Sequence, residues 1–170
     1  MNVAALAADP ALSLFQKILL CTDGTVTELL WLYCGAPITA RKIEQSFIRG
    51  GPLPLNAPAD ARVLQRTVVL GPEHAAPCLY AQSHFIFDRF SPAIQADLID
   101  TELPIGLLWR REQLEMHREI IVHAREHNAA VAALLQVPPQ TLLLSRTYRI
   151  IHAGRALGMI TEKFAVTALR

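Results

Sequence analysis

Hydrophobic residues recur with two different periods along the chain, and these periods predict where helices and strands lie. Between residues 11 and 34 they recur every three or four positions, which predicts two helices separated by a break at TDGT. Thr25, followed three residues later by Glu28, predicts a capping box at the start of the second helix. Further predicted helices are SPAIQADLIDT, with Pro92 in its first turn, the short segment LPIGLLW, and residues 128–136.

Six segments show the alternating or apolar pattern of strands: residues 38–49, 62–70, 79–87, 116–125, 142–152 and 156–166. The second and third are joined by GPEHAAP, and the last two form a predicted hairpin through HAGR. Short connections between strands, with helices grouped before and between them, predict an α+β domain. Its single antiparallel sheet of about six strands is expected to be covered on one face.

Two of these strands carry a single charge on an otherwise apolar face. In GMITEKF, Glu162 alternates with Ile160 and Phe164, and in RVLQRTVVL, Arg66 stands among aliphatic residues. Burying a charge is costly unless it is paired or used. In SRTYRII, Arg149 is a further candidate for an inward-pointing charge if the strand register allows it.

Two explanations of these charges remain open. Arg66 and Glu162 could form a buried ion pair between neighbouring strands. Alternatively, the guanidinium could fork onto a ligand carboxylate while the Glu162 carboxylate accepts a ligand hydroxyl. Buried ion pairs add little net stability compared with apolar packing, which favours a ligand pocket. Such a pocket would select a small hydroxylated acid.

Length, charge and hydropathy narrow the class of protein. The chain has 170 residues, and residues 1–170 are predicted to form one domain. A net charge of +1 with mixed signs argues against a nucleic-acid binder. No apolar run approaches the roughly 20 residues of a membrane span, and the N-terminus lacks the basic region of a secretory signal. We therefore expect a cytoplasmic protein that does not bind membranes.

Cysteine and histidine spacing gives no sign of a metal site. Cys21, Cys34 and Cys78 show neither CxxC nor zinc-ligand spacing and are expected to be free thiols. His117 and His123 are six residues apart and would share a face of a strand, but no third ligand is near them in the sequence. The chain also lacks GxSxG, Walker-type and GxGxxG motifs, so the common hydrolase and nucleotide-binding classes receive no support.

Taken in order, ILLCTDGTVTELL, RVLQRTVVL, LYAQSHFIFDRF, LPIGLLW and RTYRIIHAGRALGMITEKF resemble the chorismate pyruvate-lyase family. The resemblance covers residues 12–164 and is to the branch distinct from the enterobacterial ubiquinone-pathway enzyme. It implies a six-stranded antiparallel sheet with helices on one side and an internal ligand site under helical flaps. It also implies an enzyme that converts chorismate to 4-hydroxybenzoate and pyruvate without metal or cofactor.

The resemblance also implies roles for individual residues. Arg66 falls on the family arginine that binds the ring carboxylate, and Glu162 falls on the glutamate that faces the ring hydroxyl. Val26, Ile105 and the following Gly106 fall where the family contacts its ligand through the main chain. Arg66 and Glu162 are thus the expected catalytic residues, and all five are expected to bind substrate.

Three positions depart from the better-known enzyme. An arginine of that enzyme is replaced here by Ser83 or a neighbour, which leaves the binder of the enolpyruvyl carboxylate open. Arg149 is the candidate for that role. Ala156 and Gly158 make the last strand smaller than usual, which is expected to enlarge or loosen the pocket.

Two other functions are compatible with the same residues. The fold also resembles the effector-binding domains of some bacterial transcription repressors, which bind small molecules without catalysis. No winged-helix pattern precedes Leu12, which disfavours that alternative. A lyase or isomerase acting on a related enolpyruvyl acid would keep the pocket and change the substrate. The expected partners are a small-molecule substrate and product, and the expected state is a monomer or weak dimer.

Overall fold

The computed structural model describes residues 3–113 and 115–170, and in them six strands form one antiparallel sheet. The strands are β1 (Ile38–Arg49), β2 (Arg62–Pro72), β3 (Leu79–Ile86), β4 (His117–His127), β5 (Leu142–His152) and β6 (Arg155–Ala165). Their order across the sheet is β1-β2-β3-β6-β5-β4. The predicted α+β class with a single antiparallel sheet is confirmed.

The helices are α1 (Val3–Ala8), α2 (Leu14–Cys21), α3 (Val26–Cys34), α4 (Pro92–Asp100), α5 (Ile105–Arg111) and α6 (Ala129–Leu134). A 3-10 turn, Phe87–Arg89, follows β3. In residues 3–113 and 115–170, none of the helices has the length and apolarity needed to cross a membrane.

The two faces of the sheet are covered differently. Helices α1 to α5 pack on one face, where the main core includes Leu30, Phe85 and Phe164. On the opposite face, Val131 of α6 packs in a separate small cluster with Leu143. This second cover, on the face opposite α1 to α5, was not predicted from the sequence.

Helix α2 begins with a capping box that the sequence analysis did not identify. The Ser13 hydroxyl accepts a hydrogen bond from the Gln16 backbone N–H at 3.1 Å, and the Gln16 side-chain oxygen accepts one from Ser13 N–H at 3.1 Å. The Gln16 amide also donates to the carbonyl of Ala168 at 2.7 Å. These bonds fix α2 against the segment that follows β6.

The capping box predicted at Thr25 is wrong. Thr25 does precede the first residue of α3, but its side chain makes no capping hydrogen bond. The Glu28 carboxylate forms an ion pair with Arg110 of α5 instead of reaching back to the helix start. Glu28 therefore joins α3 to α5.

A bulge in β4 changes which histidines share a face. The pairing of β4 with β5 shifts between Ile120 and Val122, so side chains on either side of the bulge exchange faces. The expectation that His117 and His123 share a face is therefore wrong. His123 lies opposite Arg146, with Nε2 2.8 Å from the carbonyl oxygen of Leu20. No group of three or more His, Cys, Asp or Glu side chains gathers within the described part of the chain.

Candidate functional site

A narrow cavity of about 40 Å³ lies between the sheet and the first turns of α3 and α5. Its floor is formed by side chains from all six strands. Its roof is formed by Val26 and Thr27 at the start of α3 and by residues 104–106 at the start of α5, and we call residues 25–27 and 104–106 together the lid. A cavity of this size holds roughly three water molecules, which is less than the space that a substituted ring needs.

Arg66 is buried in the floor of this cavity on β2. Only 3% of its surface is exposed, and its Nη2 donates a hydrogen bond to the carbonyl oxygen of Thr101 at 3.3 Å. Its Nε is buried without a hydrogen-bond partner. Burial lowers the pKa of Arg66, an effect that the nearby Glu102 carboxylate partly opposes. Within residues 3–113 and 115–170, no carboxylate forms an ion pair with Arg66, so its guanidinium can receive an anion.

Glu162 lies on β6, opposite Arg146 of β5. Its Oε2 accepts a hydrogen bond from Arg146 Nε at 2.7 Å, and its Oε1 accepts one from the Tyr148 hydroxyl at 3.0 Å. Arg146 Nη1 in turn donates to the carbonyl oxygen of Thr22 at 2.7 Å, just before the lid. The ion pair suggested between Arg66 and Glu162 is therefore wrong, because Glu162 pairs with Arg146.

Burial and mutual charge determine the protonation of this network. Burial raises the pKa of Tyr148, and the neighbouring Glu162 carboxylate raises it further. Burial alone would lower the pKa of Arg146, but the combined effects of Glu162, Tyr148 and Cys21 outweigh burial and the pKa is raised. Both groups therefore keep their protons and donate to the carboxylate. A carboxylate offers about four lone-pair sites, so Glu162 can still accept a ligand hydroxyl.

Arg66 and Glu162 stand at a distance suited to one small ring. Arg66 pairs across the sheet with Ser83, which pairs with Ile160, two residues before Glu162. Two strand spacings across the sheet and two residues along it separate the Cα atoms of Arg66 and Glu162 by roughly 12 Å. Both side chains line the same cavity. The arrangement can hold a ring with a carboxylate at one end and a hydroxyl at the other.

The lid contains the three positions expected to contact a ligand through the main chain. Val26 of α3 lines the cavity, as do Ile105 and Gly106 at the start of α5. The two halves of the lid meet closely, because a methyl group at Gly106 would lie 2.5 Å from Cγ2 of Thr25. A glycine at this position is what lets the two halves of the lid approach this closely.

Comparison with known proteins decides the family. The sequence matches the Rv2949c-like chorismate pyruvate-lyase family over residues 20–170. The chain belongs to this family. A curated relative from Methanocaldococcus jannaschii, named "Putative lyase MJ0807", is 31% identical over 157 residues, which are 89% of this chain and 78% of the relative.

Solved structures with the same fold include ligand-binding parts of transcription regulators. The effector domain of PhnF from Mycobacterium smegmatis matches with a TM-score of 0.65 and 18% identity, covering 88% of this chain and 93% of that domain. The C-terminal domain of the histidine utilization repressor from Pseudomonas syringae matches with a TM-score of 0.61 and 15% identity, covering 78% of this chain and 94% of that domain. At these identities the likeness concerns the fold alone.

Arg149 does not line the cavity, although the sequence analysis named it as the candidate for binding the enolpyruvyl carboxylate. Its Nη2 lies 2.8 Å from Oε2 of Glu119, on the opposite face of the sheet. Side chains alternate along β5, and Arg146 and Tyr148 already occupy the cavity side. The expectation that Arg149 points inward is wrong for this reason.

Sequence analysis missed Arg146, although the signal that identified Arg66 was present. In LLLSRTYRI, Arg146 is the single charge that alternates with Leu144, Tyr148 and Ile150, all of which are buried. Because Arg146 and Arg149 lie on opposite faces of the segment, the alternation alone did not determine which face is buried. The pairing of β5 with β6 places Arg146 on the buried face.

Gly158 does not enlarge the cavity, contrary to the expectation from its small size. A methyl group at this position would lie 2.5 Å from Cδ1 of Phe85 and 2.7 Å from the carbonyl oxygen of His84. The space above Gly158 is filled by the Phe85 ring, which itself packs against Trp109 of α5 with ring centroids 6.0 Å apart. Gly158 thus supports the core beside the site.

We expect Gly106→Ala to open the lid and weaken ligand binding. The added methyl group must displace Thr25, at a cost of about 1–3 kcal/mol in the free energy of unfolding, which the better helix propensity of alanine offsets by about 1 kcal/mol. Adding Thr25→Ser removes the clashing Cγ2 and should restore both stability and affinity. Urea unfolding and calorimetry with 4-hydroxybenzoate measure the two effects. If Gly106→Ala alone bound as tightly as the unchanged protein, the close contact would not govern closure.

Proposed function

We propose that this protein is a lyase that converts chorismate to 4-hydroxybenzoate and pyruvate. Membership of the chorismate pyruvate-lyase family and the similarity to a relative named as a lyase support this proposal. The observation that carries it is the buried Arg66 guanidinium, which has no carboxylate partner among the described residues and lines the same cavity as Glu162. A ring acid with a hydroxyl opposite its carboxylate would satisfy both groups.

The reaction needs little chemical assistance beyond orientation and exclusion of water. The bond between a ring carbon and the enolpyruvyl oxygen breaks, the neighbouring ring carbon loses its hydrogen as a proton, and the ring becomes aromatic. The departing enolpyruvate gains a proton at its methylene carbon and becomes pyruvate. Proximity and a preorganised charge pattern can lower such a barrier by several kcal/mol, with roughly 7–11 kcal/mol as the upper limit that orientation supplies. In this proposal Arg66 binds the ring carboxylate, Glu162 accepts the ring hydroxyl, and the lid excludes water. Arg146 and Tyr148 hold Glu162 in place.

A binding domain without catalysis is the second candidate. The regulator domains with the same fold favour it, and the hydrogen bonds from Arg146 and Tyr148 to Glu162 are compatible with a purely structural carboxylate. Incubation of the purified protein with chorismate, followed by chromatography of the aromatic acids, separates the candidates. The lyase predicts 4-hydroxybenzoate with equimolar pyruvate. A different product indicates another enolpyruvyl chemistry, and unchanged chorismate indicates a binding domain.

We predict that turnover requires no metal. Elimination driven by aromatisation does not need a Lewis acid, and the cavity offers a guanidinium where a metal enzyme would place a cation. Activity measured after dialysis against excess EDTA should equal that of the untreated protein. Loss of activity with EDTA, recovered on adding zinc or magnesium, would contradict this prediction.

A further inference from the structure

A second arginine, Arg118 of β4, also lines the cavity. Its side chain is 12% exposed, and its backbone N–H donates to Oδ1 of Asp23 at 3.0 Å. Its Nη1 donates to the carbonyl oxygen of Asp23 and lies 3.9 Å from the Asp23 carboxylate. Both side-chain contacts use Nη1. The edge formed by Nε and Nη2, which is one that can fork onto a carboxylate, is therefore not used in either contact.

Arg118 approaches the cavity from the side opposite Arg66. Its strand is four positions away from β2 in the sheet, and its Cα pairs with Ile150. Four strand spacings amount to roughly 19 Å, so two extended arginine side chains reaching inward can grip one small molecule between them. The Arg118 guanidinium lies 5.9 Å from the centre of the Tyr148 ring, so the side chain leans back over the sheet toward the cavity.

The position of Arg118 relative to Glu162 is equally specific. Arg66 pairs with Ser83, which pairs with Ile160, and Glu162 lies two residues after Ile160 along β6. Arg118 pairs with Ile150, which pairs with Gly158, two residues before Ile160 along the same strand. The three groups thus form a triangle, with Arg118 to one side of the line from Arg66 to Glu162.

The charges of the site favour a ligand with two negative groups. Glu162 is neutralised by its ion pair with Arg146, whereas the Asp23 carboxylate near Arg118 is 61% exposed and 3.9 Å away. Among the described residues, Arg66 and Arg118 are therefore the cations that face the cavity. We propose that Arg118 binds a second carboxylate, so that the site selects dianionic ring acids over monoanionic ones. This inference rests on the proposed function. In chorismate the second carboxylate is carried by the enolpyruvyl oxygen on the carbon beside the hydroxyl-bearing carbon, which matches the corner of the triangle at Arg118.

Two stable ligands test the assignment by calorimetry. The first is 4-hydroxybenzoate, and the second is 3-(carboxymethoxy)-4-hydroxybenzoate, which adds a carboxylate at the neighbouring ring position and cannot eliminate. Arg118→Gln should weaken the dianion on the order of 30-fold, as expected when one partner of a largely buried charge pair is removed. Binding of 4-hydroxybenzoate by the same variant should change less than about threefold, because uncharged rim contacts contribute little.

Arg149→Gln is the matched control, since it makes the same substitution on the other face of the same sheet, where Arg149 pairs with Glu119. Neither ligand's affinity should change in it. If Arg118→Gln weakens both ligands equally, Arg118 only fixes the Asp23 loop and the assignment is wrong. If it weakens neither, or if Arg149→Gln selectively weakens the dianion, the assignment is also wrong. Failure of the unchanged protein to bind either ligand would instead overturn the proposed function, and this inference with it.

Discussion

Replacing Arg66 by alanine should remove most of the affinity for 4-hydroxybenzoate without unfolding the protein. Removing one partner of a buried charge pair costs binding about 2–5 kcal/mol. The free protein should lose little stability, because Arg66 is buried with an unpaired Nε and forms no ion pair in the described part of the chain. Loss of binding with stability retained is the pattern of a ligand-binding arginine.

Two further variants sharpen this prediction. Arg66→Met preserves most of the side-chain volume and removes the charge, so it should bind as poorly as Arg66→Ala while avoiding a cavity. Arg66→Lys should recover only part of the affinity, because an ammonium cannot fork onto a carboxylate. Calorimetric affinity and urea unfolding on the same preparations measure both quantities. An unchanged affinity for 4-hydroxybenzoate in Arg66→Ala would refute the role of Arg66.

Glu162→Gln should impair both stability and catalysis. The substitution leaves the Arg146 guanidinium, of which 1% is exposed, without its counter-ion, and breaking such a buried pair costs about 3–5 kcal/mol in the free energy of unfolding. If Glu162 also contacts the reacting ring, kcat per folded molecule should fall by roughly 10²-fold or more. Melting temperature and single-turnover rate on one preparation separate the two effects.

The double substitution Arg146→Met with Glu162→Leu provides the control for stability. Replacing a buried ion pair by apolar residues of similar volume is often neutral or stabilising, so most of the stability should recover. The buried Tyr148 hydroxyl loses its acceptor, which retains a cost of about 1–3 kcal/mol. Turnover should not recover, because the hydroxyl acceptor is gone. If Glu162→Gln loses stability but keeps the wild-type rate per folded molecule, Glu162 is a structural partner of Arg146 and takes no part in the chemistry.

The alternation of apolar and polar residues along the chain predicted the features that depend on residues close together in the sequence. The bounds of β1 and β5 match the predicted segments, and the ends of the other strands differ by two residues or fewer. The same alternation isolated Arg66 and Glu162 as single charges on apolar faces. Both line the cavity, because each side chain's face is fixed by its own strand.

Long-range pairing determined what the sequence could not predict. The segment SRTYR carries one arginine on each face of the strand. Only the pairing of β5 with β6 places Arg146 beside Glu162 and puts Arg149 on the face opposite the cavity. Arg118 reaches the cavity from the edge strand β4, just before a bulge that reverses the alternation. Alternation alone therefore marks Arg146 as one of two candidate arginines, and tertiary pairing selects it as the partner of Glu162 and brings Arg118 to the cavity.

The most direct test of the proposed lyase activity is the stoichiometry of chorismate conversion by the unchanged protein and by Arg66→Ala, measured beside a protein-free sample. We expect the unchanged protein to consume chorismate and release 4-hydroxybenzoate and pyruvate in equal amounts, well above the spontaneous rate. Arg66→Ala should fall close to that spontaneous rate at low substrate concentration. Chorismate consumption by the unchanged protein that did not exceed the protein-free sample would contradict the proposed function.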